Sequence, residues 1–123
     1  MKDFNAGDKK RDARLRRKLL FVLYLARANS PTGFISGRRL VDDAGGLAAR
    51  DCGFESDDHA LALARDLCNA GYATEKPLGY LRRGERFGLD HCQFAITSIG
   101  TKLHLEQMPP DVLVDDERIS DGE

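Results

Sequence analysis

The spacing of hydrophobic residues divides the chain into helical and extended segments. Apolar positions recur every three or four residues in four segments, as on the buried face of a helix. We predict these helices at residues 12–29, 37–44, 57–70 and 97–107. Between the last two, apolar and polar residues alternate in two short runs, which predicts a β-hairpin from 72 to 96. Helices combined with a local hairpin indicate the α+β class.

The third predicted helix is the most clearly bounded, and we interpret it as the central helix of the fold. Ser56 or Asp57 can cap its first turn, and Gly71 can adopt the left-handed conformation that ends a helix. Its buried face is predicted to contain Leu61, Ala64, Leu67 and Cys68. Its outward face is predicted to contain His59, Ala62, Asp66 and Asn69, with Asp58, Leu63 and Arg65 on the flanks.

The first predicted helix is apolar around nearly its whole circumference. One face is formed by Leu15, Leu19, Val22, Leu23 and Ala26, and it is extended by Leu20, Phe21, Tyr24 and Leu25. A helix of this kind must be covered on two sides. Either the final helix folds over its second face, or the first and last helices form a homodimer interface.

Length and composition indicate one domain with two tails. A chain of 123 residues that is 41% hydrophobic can bury one modest core. We expect a flexible basic arm at residues 1–11, the folded domain at 12–108 and a disordered acidic tail at 109–123. Three cysteines without CxxC spacing, together with an N-terminus lacking a signal peptide, predict a cytoplasmic protein with reduced thiols. The longest apolar run, Leu19–Ala26, is far shorter than the roughly 20 residues of a membrane span, so no membrane contact is expected.

The net charge of −1 conceals a strong segregation of charge along the chain. Residues 1–18 contain eight Lys or Arg against three Asp, and residues 76–86 contain four against one Glu. Residues 37–75 contain eight acids against four Arg, and residues 111–123 contain six acids against one Arg. A polyanion would therefore meet the N-terminus and the segment after Lys76.

Two sequence features resemble the winged helix-turn-helix superfamily of small DNA-binding proteins, over about residues 12 to 108. The central helix ends in Leu67-x-x-x-Gly71-Tyr72 and leads into a strand, and the second strand ends in Thr97-x-x-Gly100. The resemblance implies a three-helix core, a two-stranded wing and a C-terminal fourth helix. It also implies a small transcriptional regulator of the type carried by bacteria and prophages. The chain departs from the family between the second and third helices, where eleven residues, 45–55, replace the usual three or four.

Three groups of residues are candidates for contact with double-stranded DNA. The candidates are Lys9, Lys10, Arg11 and Arg14 near the N-terminus, His59, Arg65 and Asn69 on the third helix, and Arg82, Arg83 and Arg86 in the hairpin tip. Arginines beside glycines and aromatic residues suit a loop that lies against phosphates or enters a minor groove. Asp58 and Asp66 make the third helix a poor reader of base edges. The alternative for the tip is a solvated hairpin whose arginines keep a sheet edge soluble.

Other functional classes find little support in the sequence. The possible metal ligands are Cys52, His59, Cys68, His91 and Cys92, and they lack the close pairs typical of zinc sites. The sequence contains no GxSxG motif, no phosphate-binding glycine loop, and no His and acid pair at a spacing that implies partnership. We therefore expect a protein that is not an enzyme and has no cofactor or metal. The alternative function is a protein-binding module, with the acidic residues 37–75 facing a basic partner.

Overall fold

The computed structural model describes residues 6–47 and 53–119, which form an α+β fold. Its helices are α1 (Ala6–Asn29), α2 (Gly37–Asp43), α3 (Asp57–Asn69) and α4 (Ser98–His104), and its strands are β1 (Ile35–Ser36), β2 (Ala73–Pro77) and β3 (Cys92–Ile96). Short 3-10 helices lie at Leu89–His91 and Asp116–Arg118. The four predicted helices and the predicted hairpin are thus confirmed, with shifts at their ends. In the part of the chain that the structure describes, no helix is both long and apolar enough to cross a membrane.

The three strands form one antiparallel sheet with β3 in the centre, between β1 and β2. Ile35 of β1 pairs with Phe94, and Ala73 of β2 pairs with Ile96. Phe94 and Cys92 are fully buried, and Ile96 is half-buried. Cys92 and Phe94 belong to the core and Ile96 packs against it, as the predicted alternation requires. Ala95 on the opposite face is also buried, so the alternation is confirmed only in part.

Side-chain hydroxyl groups cap the N-termini of α2, α3 and α4. Ser36 Oγ accepts the Arg39 N–H at 3.2 Å, and Ser56 Oγ accepts the His59 N–H at 3.1 Å. The hydroxyl of Thr97 caps α4 in the same way, with Gly100 N at 3.0 Å. Each cap satisfies a backbone donor that has no partner within the helix. These starts agree with the sequence prediction, as does the end of α3, where Gly71 has a φ of +88°.

Helix α1 begins at Ala6, six residues earlier than predicted, so Lys9, Lys10 and Arg11 lie on a helix and not in a flexible arm. The first turns carry no apolar face, so hydrophobic spacing gave no sign of them. Ionic contacts hold this end in place, since Arg11 Nη1 lies 2.7 Å from Glu55 Oε2. The remainder of the predicted arm, residues 1–5, lies outside the described residues.

The connection between α2 and α3 contributes a core residue that the sequence analysis did not identify. Phe54 is fully buried, and its N–H donates to the Gly46 carbonyl at 3.2 Å. An isolated parallel bridge joins Phe54 to Leu47. The long connection therefore returns to the core just before α3. Residues 48–52 of this connection lie outside the described residues.

The C-terminal segment, residues 109–119, packs against the domain, contrary to the predicted disorder. Val114 is buried, and Leu113 packs against the same core. The Tyr72 hydroxyl donates to Asp111, and Asp116 lies 3.3 Å from Arg14 of α1. Two apolar side chains and two polar contacts thus hold this segment against the domain, although its acidic composition predicted disorder. Residues 120–123 lie outside the described residues.

The second face of α1 is only partly covered. The His104 ring of α4 lies 4.7 Å from the Tyr24 ring and 5.6 Å from the Phe21 ring. Helix α4 therefore covers part of this face, as one of the two alternatives predicted. Phe21 and Leu25 nevertheless remain 48% and 43% exposed.

Candidate nucleic-acid interface

The hairpin loop, residues 78–88, projects from the end of β2 and returns to β3. Its base is closed by the Leu78 N–H, which donates to the His91 carbonyl at 3.0 Å. Gly79 and Gly84 have φ values of +70° and +81°, which favour glycine and allow the loop to turn. At its tip, Tyr80 is 93% exposed. The loop thus presents a large aromatic side chain and its arginines to solvent.

Arg82 and Arg83 are exposed, and neither makes an ion pair with any of the described residues. Arg86 lies 3.7 Å from Asp58 of α3, but both side chains are more than three-quarters exposed. An exposed pair of this kind contributes little stability and is screened by salt. The hairpin loop therefore presents two exposed arginines that no carboxylate of the described residues neutralises.

Arg65 is held by intramolecular contacts, although it was predicted to contact DNA. Its Nε and Nη2 atoms donate to the two carboxylate oxygens of Glu75 at 3.0 and 2.9 Å. These hydrogen bonds raise the pKa of Arg65. The guanidinium carbon also lies 5.2 Å from the centre of the Phe87 ring. Arg65 therefore joins α3 to β2 and to the hairpin loop.

His59 faces α1, whereas the sequence analysis placed it on the outward face of α3. Its Nε2 lies 3.0 Å from Asp12 Oδ1, and its Nδ1 accepts the Glu55 N–H at 3.0 Å. Asp66, also predicted outward, accepts two hydrogen bonds from Arg16 of α1 at 3.1 and 2.9 Å. The predicted outward face was rotated by about half of the 100° step between successive residues, because Leu63 is buried and not on a flank. The observed outward face contains Asp58, Ala62, Arg65 and Asn69.

Two of the four predicted N-terminal contact residues, Arg11 and Arg14, are paired with acidic residues of the same chain. Arg11 contacts Glu55, and Arg14 lies 3.3 Å from Asp116 in the C-terminal segment. Lys9 is exposed on α1, and Lys10 is half-buried there. Because these partners are acidic, α1 offers a polyanion less charge than its sequence suggests.

Arg38 forms an ionic cluster that sequence reasoning missed. Its guanidinium donates to both carboxylate oxygens of Asp57 at 3.1 and 2.7 Å, and its Nε lies 3.5 Å from Asp90. The hydrogen bonds from Arg38 lower the pKa of Asp57. The cluster ties α2, the start of α3 and the segment after the hairpin loop together. These residues are far apart in sequence, so no local pattern indicates their contact.

The described cysteines behave as core residues. Cys92 is fully buried and Cys68 is half-buried. Burial raises the pKa of each thiol to about 11, which disfavours the reactive thiolate. Within residues 6–47 and 53–119, no group of three or more His, Cys, Asp or Glu side chains is arranged to hold a metal ion. Cys52 lies outside the described residues.

No family model, curated protein or solved structure matches the chain. We therefore argue its function from the contacts, exposure and charges of its own residues. The arrangement best suited to an external partner is the hairpin loop, where an exposed aromatic residue lies near cations without acidic partners among the described residues.

Proposed function

We propose that this protein binds double-stranded DNA as a small transcriptional regulator, and that the hairpin loop makes the main contact. The observation that carries the proposal is the exposure of Arg82 and Arg83, whose guanidinium groups form no ion pair with an acid in the described part of the chain. Phosphate contacts by such cations release counterions and supply sequence-independent affinity. In the cytoplasm, this affinity would hold the protein on DNA while other contacts select the site.

The order of the elements supports a winged helix-turn-helix as the framework of this function. Three helices and a short strand precede the hairpin, and β1 pairs with the far side of β3. In this interpretation α2 and α3 form the helix-turn-helix, and the hairpin loop is the wing. The long connection before Phe54 remains the departure from the family pattern.

Helix α3 has a smaller role in this proposal than a recognition helix usually has. Its outward face contains Asp58 and Ala62, and its Arg65 is engaged by Glu75. Asn69 is the exposed residue suited to hydrogen bonding with a base edge. A carboxylate near the start of α3 would repel phosphates, so the hairpin loop provides most of the affinity.

Paired variants with equal charge changes test the proposal. Arg82→Ala combined with Arg83→Ala should weaken binding to mixed-sequence duplex DNA more than Asn69→Ala does. The matched control removes two exposed arginines elsewhere, Arg39 and Arg118, each beside an acid of its own. Equal weakening by the two double variants would show only a net-charge effect and would contradict a specific role for the loop. A larger effect of Asn69→Ala would assign recognition to α3.

A protein-contact module is the second candidate, and the apolar residues of the loop favour it. Leu81 and Phe87 are 51% and 43% exposed beside the nearly fully exposed Tyr80. Aromatic residues with arginine are typical of protein interfaces as well as nucleic-acid interfaces. Absence of DNA binding by the parent protein at low salt would favour this second function.

We also propose that this protein forms a homodimer through α1 and α4. The support is the exposure of apolar side chains on both helices, including Phe21 and Leu25 on α1 and Ile99 on α4. Analytical ultracentrifugation of the parent and of Phe21→Ser tests this. A parent that is monomeric across the concentrations used for DNA binding would contradict the dimer.

A further inference from the structure

One carboxylate, that of Glu85, contacts two different parts of the hairpin loop. Glu85 Oε1 accepts the Arg82 N–H at 2.8 Å, and the Glu85 N–H donates to the Arg82 carbonyl at 3.0 Å. The other carboxylate oxygen, Oε2, lies 3.2 Å from His91 Nε2. Glu85 therefore connects the arginine end of the loop to a residue at its base.

His91 fastens this contact to the sheet. Its Nδ1 accepts the Gly88 N–H at 3.0 Å, so the proton on Nε2 is directed to Glu85. Its carbonyl accepts the Leu78 N–H, and its ring lies 5.8 Å from the Phe87 ring. The His91 side chain is only 12% exposed. One residue thus holds both limbs of the loop.

We propose that Glu85 and His91 form a clasp that positions Arg82 and Arg83 for contact with DNA phosphates. This inference rests on the proposed DNA-binding function. Residues 78–88 contain three glycines and no strand pairing, so without internal contacts they would populate many conformations. If these residues became ordered only on binding DNA, the loss of conformational entropy would lower the affinity. The clasp orders them before binding and so avoids this cost.

Because Glu85 is negatively charged, the effect of its removal on DNA affinity distinguishes the clasp from an effect of charge alone. A carboxylate among arginines repels phosphates, so its removal should strengthen DNA binding if charge alone matters. The clasp predicts the opposite sign, because the arginines lose their fixed position. Asp58 is the matched control, since its exposed carboxylate lies 3.7 Å from Arg86 and takes no part in the clasp.

The binding experiment compares the parent with Glu85→Ala, Glu85→Gln and Asp58→Ala on one mixed-sequence duplex. We expect Glu85→Ala to weaken binding about three- to tenfold, the cost of ordering one or a few loop side chains. Glu85→Gln retains one acceptor oxygen and should lie between it and the parent, whereas Asp58→Ala should bind as the parent does or more tightly. The salt dependence of Glu85→Ala should remain that of the parent, because every cation is retained.

A second variant removes the clasp without changing an acidic residue. His91→Phe keeps an aromatic ring against Phe87 and loses both side-chain hydrogen bonds. It should weaken DNA binding in the same direction as Glu85→Ala. Glu85→Ala should also leave the thermal unfolding midpoint nearly unchanged, since the carboxylate is on the surface.

Trypsin provides a measurement that does not involve DNA. Arg82, Arg83 and Arg86 are cleavage sites within the loop, and Glu85→Ala should be cut there faster than the parent. Unchanged cleavage, or DNA binding by Glu85→Ala as tight as that of the parent, would overturn the clasp. If the parent binds no DNA, the proposed function fails, while the cleavage rates still decide whether the clasp holds the loop.

Discussion

Nε2 of His59 lies 3.0 Å from Oδ1 of Asp12, which joins the first turn of α3 to α1. The other ring nitrogen accepts the Glu55 N–H, so both nitrogens of this half-buried ring have partners within the chain. His59 therefore stabilises the helix pair and is not free to contact DNA.

His59→Ala should lower the free energy of unfolding by about 1–2 kcal/mol, because it removes the two hydrogen bonds of the imidazole ring. The DNA affinity of the folded variant should remain that of the parent. Urea unfolding and duplex titration measure the two quantities. Asn69→Ala is the control on the same helix, with a stability change of less than about 0.5 kcal/mol at its exposed position. A stable His59→Ala protein with weakened DNA binding would restore the original prediction of a DNA contact.

The packing of the C-terminal segment is tested by two valines at neighbouring positions. Val114 is 7% exposed, whereas Val112 is 51% exposed. Val114→Ala should destabilise the fold by about 1–2 kcal/mol through lost burial and a small cavity. Val112→Ala should change stability by less than about 0.5 kcal/mol. Equal effects in urea unfolding would mean that the segment does not pack as described.

The bond from Tyr72 to Asp111 should give the stability a distinctive pH dependence. It raises the pKa of Tyr72 from 10.0 to about 12. A raised pKa contributes stability that is fully present below pH 10 and is lost as the pH rises toward 12. Below pH 10, Tyr72→Phe should be less stable than the parent by about 1 kcal/mol, the typical value of one hydrogen bond.

The difference in the free energy of unfolding between the parent and Tyr72→Phe isolates the contribution of this tyrosine from those of the other groups that titrate at high pH. Both proteins contain the same cysteines and lysines, so those contributions cancel. Urea unfolding between pH 8 and 11.5 should show the difference shrinking as the pH rises. A difference that stays constant over this range would indicate that Asp111 does not accept the bond in solution.

Local features of the fold were predictable because their causes lie within a few residues. Ser36, Ser56 and Thr97 bond to backbone donors three positions ahead, and Gly71 supplies its own left-handed conformation. The strand around Phe94 is likewise indicated by neighbouring residues, which alternate between apolar and polar. Such features follow from neighbouring side chains and need no knowledge of tertiary contacts.

The candidate site was less predictable because its charges are set by distant residues. Arg14 and Asp116 are 102 positions apart, and no spacing rule relates them. The rotation of α3 depended on whether Leu63 packs inward, and helical periodicity alone left that residue on a flank. Glu85 and Arg82 are close in sequence, but the fixing of their contact by His91 depends on the closed hairpin. Segregated charge thus indicated basic surfaces without showing which of them are neutralised.

The salt dependence of duplex binding tests the central claim most directly. The logarithm of the association constant, plotted against the logarithm of salt concentration, has a slope of about −0.9 per neutralised phosphate. The parent should show a linear loss of affinity, and Arg82→Ala with Arg83→Ala should flatten the slope by about 1.8 if each arginine neutralises one phosphate. The control without Arg39 and Arg118 should keep the slope of the parent. Identical slopes for all three proteins, or no binding by the parent at low salt, would contradict DNA binding through the hairpin loop.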